Sequence, residues 1–247
     1  MKKYITTLLL AFVSLISYSQ EMKEKQGFMY IKDKQFNVGF RIGFNSQLPI
    51  IHEFSVNDKT IEDFQQQYKV GYLAAISLRI NFGRTFLNPT VSWYYSESEL
   101  NFTIPVSPID GSEDLIYQSY YGNHISTTSS SLDIPILVGY DFVKSNPYRL
   151  SFMLGPKFKY FFKNKYDIGI KDSQSAFFME DNVPYCLNLV AGVDVTIGRL
   201  FLDFTYELGL TRINSTFGFE IEGSAAPSVI SYDRRANSLS FALGVLF

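Results

Sequence analysis

The chain has 247 residues, a formal net charge of −2, one cysteine, 46% hydrophobic and 17% aromatic residues. That length fits one domain or at most two. The balanced charge lacks the basic footprint that a nucleic-acid partner requires, and a single cysteine excludes an internal disulfide and any multi-cysteine metal centre. Mean hydropathy is +0.01, which argues against a bundle of membrane helices but suits a membrane β-barrel, whose strands alternate apolar and polar residues.

Residues 1–19 read as a cleaved signal peptide. Lys2 and Lys3 precede a mostly apolar stretch from Ile5 to Ile16, and Ser17-Tyr18-Ser19 places small residues at the −3 and −1 positions of a cut before Gln20. The apolar stretch is shorter than the roughly 20 residues of an ordinary membrane helix. An anchor that stays attached is the alternative. Residues 20–34 are expected to form a periplasmic segment, and 35–247 the main body.

Within that body, side chains alternate with the period of two that strands impose. Phe36, Val38, Phe40, Ile42 and Phe44 interleave with Asn37, Gly39, Arg41, Gly43 and Asn45. The run from Val70 to Phe82 places Arg79 on its polar face, with Leu73 as an apolar exception there. Leu87–Tyr95 opposes Asn88, Thr90, Ser92 and Tyr94, and Leu132–Phe142 places Asp133 and Asp141 on the polar side. Leu150–Phe162 does the same with Lys157 and Lys159, Tyr185–Ile197 with Cys186 and Asp194, and Leu200–Leu210 with Asp203 and Glu207. Leu239, Phe241, Leu243, Val245 and Phe247 complete eight such segments. Most have the 9–11 or so residues that cross a bilayer as tilted strands, against about 5–6 for an ordinary strand. Parity alone does not separate a soluble sandwich from a barrel. Strand length, the signal peptide and the lack of edge protection favour the barrel, since closure removes exposed edges.

The connections alternate too. Gly83-Arg84, Lys144-Ser145-Asn146 and Gly198-Arg199 read as tight turns. Pro49–Tyr68, Asn101–Ser131, Lys163–Pro184 and Ile213–Asn237 read as long loops, the second containing Leu115–Tyr121, a candidate hairpin. Short turns on one side and long loops on the other is the outer-membrane arrangement, with the turns in the periplasm. The expected fold is therefore all-β, an antiparallel transmembrane β-barrel, with eight strands favoured over ten. The expected location is the outer membrane of a Gram-negative bacterium.

The final strand, ending on Phe247, resembles the C-terminal insertion signal of bacterial outer-membrane barrels. Ser131-Leu132-Asp133-Ile134-Pro135-Ile136-Leu137-Val138-Gly139-Tyr140 resembles a strand of the PorT-like outer-membrane β-barrel family of Bacteroidota. Gly155-Pro156 and Asp203-Phe204-Thr205-Tyr206-Glu207-Leu208-Gly209-Leu210-Thr211 are similar to the same family. The resemblance implies a barrel scaffold over most of the mature chain, and for some members a part in type IX secretion and gliding.

Eight strands enclose a space that side chains can fill. Parity sends Arg41, Arg79, Lys157 and Lys159 inward together with Asp133, Asp141, Asp194, Asp203 and Glu207, four positive groups against five negative. Buried charges of both signs should pair, so the expectation is a salt-bridged plug, with a proton or ion path along the same groups as the functional alternative. His52 and His124 fall in outer loops with nothing to fix a nucleophile beside them, so surface roles are favoured over catalysis. Asp110, Glu113 and Asp114 lack the regular spacing of a calcium loop, and Cys186 reads as a packed thiol. No cofactor, metal or catalytic residue is expected. The expected partners are outer-membrane lipid, the barrel assembly machinery during insertion and an outer-membrane protein complex. The expected function is non-enzymatic, as a structural or accessory subunit of outer-membrane machinery. The alternatives are a PorT-type secretion role and a loop-based enzyme or ligand-binding barrel.

Overall fold

A computed structural model describes residues 34–57, 59–103, 105–106, 116–117, 123–170, 173–181, 184–221 and 228–247. The signal-peptide region, nearly all of the 20–34 segment and the acidic stretch at 110–114 lie outside these residues. The strands in chain order are β1 (Phe36–Gln47), β2 (Ile50–Val56), β3 (Lys59–Thr60), β4 (Phe64–Tyr68), β5 (Val70–Phe82), β6 (Thr85–Phe102), β7 (Pro105–Val106), β8 (Ile116–Tyr117), β9 (His124–Ser145), β10 (Tyr148–Gly169), β11 (Ser173–Asp181), β12 (Tyr185–Ile197), β13 (Leu200–Gly209), β14 (Arg212–Ile221), β15 (Ser228–Arg235) and β16 (Ser238–Leu246).

Eight of them close into a ring, each antiparallel to its neighbours: β1, β5, β6, β9, β10, β12, β13, β16 and back to β1. Closure gives every ring strand a hydrogen-bonded neighbour on both sides, leaving no open edge in hydrocarbon. Two-residue connections at Gly83-Arg84, Asn146-Pro147 and Gly198-Arg199 join neighbours at one end. Gly83 and Gly198 have φ of +68° and +61°, the positive values that tight hairpin turns need and that side chains with a Cβ resist.

The outward face of the ring is apolar and exposed: Phe40, Ile76, Val91, Ile136, Phe152, Val193, Phe204 and Phe241 all belong to it. Along β13 and the residue after it this face runs from Leu200 to Leu210. Ten steps of about 3.3 Å at a tilt of about 40° rise about 25 Å, the height of an outer-membrane apolar band.

Above that band the long outer connections differ from loops. Among the described residues they are largely strands. β6, β9 and β10 continue past the membrane for total lengths of 18, 22 and 22 residues, with β4 added on β6. The opposite wall is a separate five-stranded sheet in the order β11-β14-β15-β2-β3. The 115–121 stretch contributes β8, which pairs with β7.

Inward side chains of this upper storey meet in an apolar core: Phe54 and Val56 from β2, Leu100 and Phe102 from β6, Ile125 from β9, Phe217 and Phe219 from β14, Ile230 and Tyr232 from β15, and Ile61. The rings of Phe54 and Phe102 pack edge to face at 5.0 Å, a favoured aromatic geometry. The lower storey thus has a polar inside and a greasy outside, and the upper storey the reverse.

Candidate functional site

β6 carries the change within one strand. Its inward residues Asn88, Thr90, Ser92 and Ser96 are buried and polar, and the last inward pair, Leu100 and Phe102, is apolar at 2% and 0% exposure. Its outward residues pass from Val91 and Trp93 to Glu97 and Glu99. The strand keeps its parity while the medium outside it changes from lipid to water.

All nine expected lumen charges are buried within the ring, and they are joined by a tenth, Arg149. Arg149 shares the parity of Ser151 and Met153, and β10 begins at Tyr148, so extending the alternation by one residue pair would have found it. Five cations then face five carboxylates: Arg41, Arg79, Arg149, Lys157 and Lys159 against Asp133, Asp141, Asp194, Asp203 and Glu207.

They form two groups. Near the short turns, Arg79 Nη2 donates to Asp141 at 2.6 Å, and its Nη1 lies 3.7 Å from Asp194. Arg149 Nε lies 3.6 Å from the other oxygen of Asp141. Ser151 and Thr196 donate to Asp141 and Asp194 at 2.7 and 2.8 Å, and Arg79 covers the ring of Phe86 at 3.5 Å. Arg41 on β1 pairs with Asp203 on β13, one strand away across β16.

Nearer the cap, Lys157 Nζ is 2.6 Å from both Asp133 and Glu207, and Lys159 Nζ is 2.9 Å from Glu207. Glu207 also accepts from Asn188 and, at 2.7 Å, from Ser238, while Ser131 donates to Asp133 at 2.7 Å. Lys157 stands 4.2 Å from the centre of the Tyr94 ring. Every ion in such a low-dielectric space needs this degree of compensation, because an unpaired one costs several kcal/mol.

The groups are separated by Phe86, Leu137, Met153 and Val190, which pack together. Leu137 sits midway between Asp133 and Asp141 on β9, and Met153 midway between Arg149 and Lys157 on β10. The space beside them, lined by Arg41, Tyr94, Leu137, Lys157, Val190 and Glu207 among others, has room for about one water.

Other singled-out residues lie apart from this network. Cys186 is buried beside Ile213 and Ala236. His52 is exposed on β2, and His124 opens β9 half-buried, opposite Gly169. Phe247 follows β16 with its ring exposed, its N–H donating to Val38 O at 2.8 Å. In the cap, Lys69 pairs with Glu99 at 2.6 Å, and this hydrogen bond holds the Glu99 carboxyl below its ordinary value of 4.5.

Comparison with solved structures finds other barrels at low identity. The outer membrane protein OprG of Pseudomonas aeruginosa is 9% identical, with 87% of this chain and 97% of that one covered and a TM-score of 0.49. The outer membrane protease OmpT of Escherichia coli is 9% identical, with 91% and 99% covered and a TM-score of 0.44. Neisserial surface protein A is 13% identical, with 87% and 98% covered and a TM-score of 0.32. No curated protein matches the sequence. A family model described as the outer membrane protein beta-barrel domain matches residues 18–215. With a closed ring of eight antiparallel strands, a lipid-facing apolar band and that match over most of its length, the chain belongs to the outer membrane protein beta-barrel domain family.

Proposed function

We propose that this protein is a closed, non-enzymatic outer-membrane barrel that serves as a structural or accessory subunit of outer-membrane machinery. The observation that carries this reading is the unbroken column of buried side chains along the barrel axis. The paired charges come first, interrupted by the Phe86–Leu137–Met153–Val190 cluster. A belt of amides and hydroxyls including Asn45, Ser96 and Ser129 follows, and then the apolar core of the cap. A general pore requires a water-filled lumen, for which about 16 strands are the usual number. A filled barrel offers its partners a wall and a cap rather than a passage. Lipid, the assembly machinery during insertion and a resident protein complex are the partners this reading implies.

A PorT-type role in type IX secretion is the second reading. The motif residues Asp133 and Glu207 that resemble that family clasp Lys157 from two walls, so the resemblance is carried by what fills the barrel. A loop-based enzyme is the competing class. Neither His52 nor His124 is hydrogen-bonded to a hydroxyl or thiol among the described residues, which favours the non-enzymatic reading.

Two measurements test it. In planar bilayers the purified protein should give no stepwise conductance. Mild-detergent affinity purification from native outer membrane should bring down a partner at fixed stoichiometry, and the partner's identity decides between a general accessory role and secretion. Steady channels, or an activity lost on His52→Ala or His124→Ala, would overturn the reading.

A further inference from the structure

Two arginines face outward side by side just above the lipid-facing wall. Arg212 opens β14 and Arg235 closes β15, and they are direct register partners in that antiparallel pair. Both occupy outward positions, since Ile213, Ser215 and Phe217 on one strand and Ile230, Tyr232 and Arg234 on the other point inward and are buried. Like charges placed opposite one another repel. Asp233, one outward position further up β15, reaches Arg212 at 3.6 Å, and Glu53 is the register partner of Asp233. That single contact leaves most of the Arg212 guanidinium open, with 60% of its side chain exposed. Arg235 keeps a buried Nε with no hydrogen-bond partner among the described residues.

The position along the barrel axis supplies the ligand class. Ile50, the register partner of Arg235, and Leu210, two residues before Arg212, are exposed and end the apolar band on their strands. The two guanidinium groups therefore stand where acyl chains stop and headgroup phosphates begin. A guanidinium is a planar fork that matches phosphate oxygens two at a time. We propose that Arg212 and Arg235 together bind the phosphate of a phosphorylated glycolipid in the outer leaflet, whose acyl chains lie on the wall below, over Leu210, Tyr206 and Leu239. Bound phosphate relieves the repulsion between the two cations. The assignment goes beyond the scaffold reading and needs only the outer-membrane setting.

Native mass spectrometry of the protein extracted from outer membrane in mild detergent, and then reloaded with diphosphoryl lipid A as the probe, tests this. The parent should retain the glycolipid. Arg212→Gln/Arg235→Gln should retain it about tenfold less, the loss expected for a charge-assisted pair. Arg212→Gln alone, at an exposed side chain that does not support the fold, should show part of that loss. Arg84→Gln/Lys144→Gln removes the same charge from the short-turn end and should behave as the parent. Millimolar inorganic phosphate should leave retention unchanged. Equal retention by parent and double variant, both still shifting in heat-modifiable gel migration, would overturn the proposal. Displacement by inorganic phosphate would overturn it too, by making the pair a site for free phosphate.

Discussion

The membrane storey and the cap share the continuous strands β6, β9 and β10 and are chemical opposites. Below, Asp, Lys and Arg fill the interior while Phe, Leu and Val face out; above, Phe54, Phe102 and Phe217 fill the interior while Glu97, Glu99 and Arg212 face out. The rule in both is that the face against the medium must match the medium. The cap obeys the ordinary hydrophobic effect, which drives apolar area away from water. The barrel has no such drive between its interior and lipid, so its inside is free to be polar, provided that each charge is answered.

The sharpest way to break the lower half is to strand its cations. Glu207→Gln leaves Lys157 and Lys159 sharing Asp133 and should destabilise the barrel by about 3–5 kcal/mol, read as a lower temperature for loss of heat-modifiable migration. Adding Lys157→Met should recover part of that loss. The corresponding lesion above is Phe54→Ala, which opens a cavity worth about 3–5 kcal/mol in the cap core. It should expose cap amides to hydrogen exchange while β12, β13 and β16 stay protected, because the storeys have separate cores and open as separate units.

The outward faces respond oppositely to one change. Phe241→Arg, on the lipid side between Phe44 and Phe204, should cost about 2–4 kcal/mol of membrane stability. Thr216→Arg, outward on β14 in the cap, should shift stability by less than about 0.5 kcal/mol.

A comparably small effect concerns Lys69 and Glu99, a partly exposed pair worth at most about 1 kcal/mol. The folded Glu99 is more acidic than its unfolded counterpart. Its contribution is therefore present above the ordinary carboxylate range and is lost as pH falls through the lowered folded value. Lys69→Ala should lower cap stability slightly near neutral pH and leave it unchanged in acid, as read by hydrogen exchange across the two ranges.

What was legible in the sequence follows from the same rule. The lipid-facing runs stand out because hydrocarbon demands an uninterrupted apolar row, so Phe36–Phe44 and Leu239–Phe247 announce their parity directly. The inward ion set followed as the complement of those rows. Arg149 escaped because it sits at the strand's first turn, one residue before the apolar row starts at Leu150.

The cap was harder to see. In 126–131, a Ser/Thr run forms the inner and outer faces of β9 alike, so no amphipathic contrast marks it as strand. In β14, Ile213, Ser215, Phe217 and Phe219 do alternate, but the row is short and is preceded by a break at Leu210-Thr211. Nothing local shows that these fragments, far apart in sequence, share one core.

The claim that the two storeys invert is tested most directly by a spin-label scan along β13 and β14 in a Cys186→Ser background. Labels at Leu202, Phe204 and Tyr206 should collide with oxygen dissolved in lipid. Labels at Asn214 and Thr216 should collide with a water-soluble nickel complex, and labels at Asp203, Ser215 and Phe217 should be shielded from both. Lipid contact at Asn214 and Thr216, or free access of the nickel complex to Ser215 and Phe217, would contradict the account: the first would carry the membrane band up into the cap, and the second would make the cap an open set of loops.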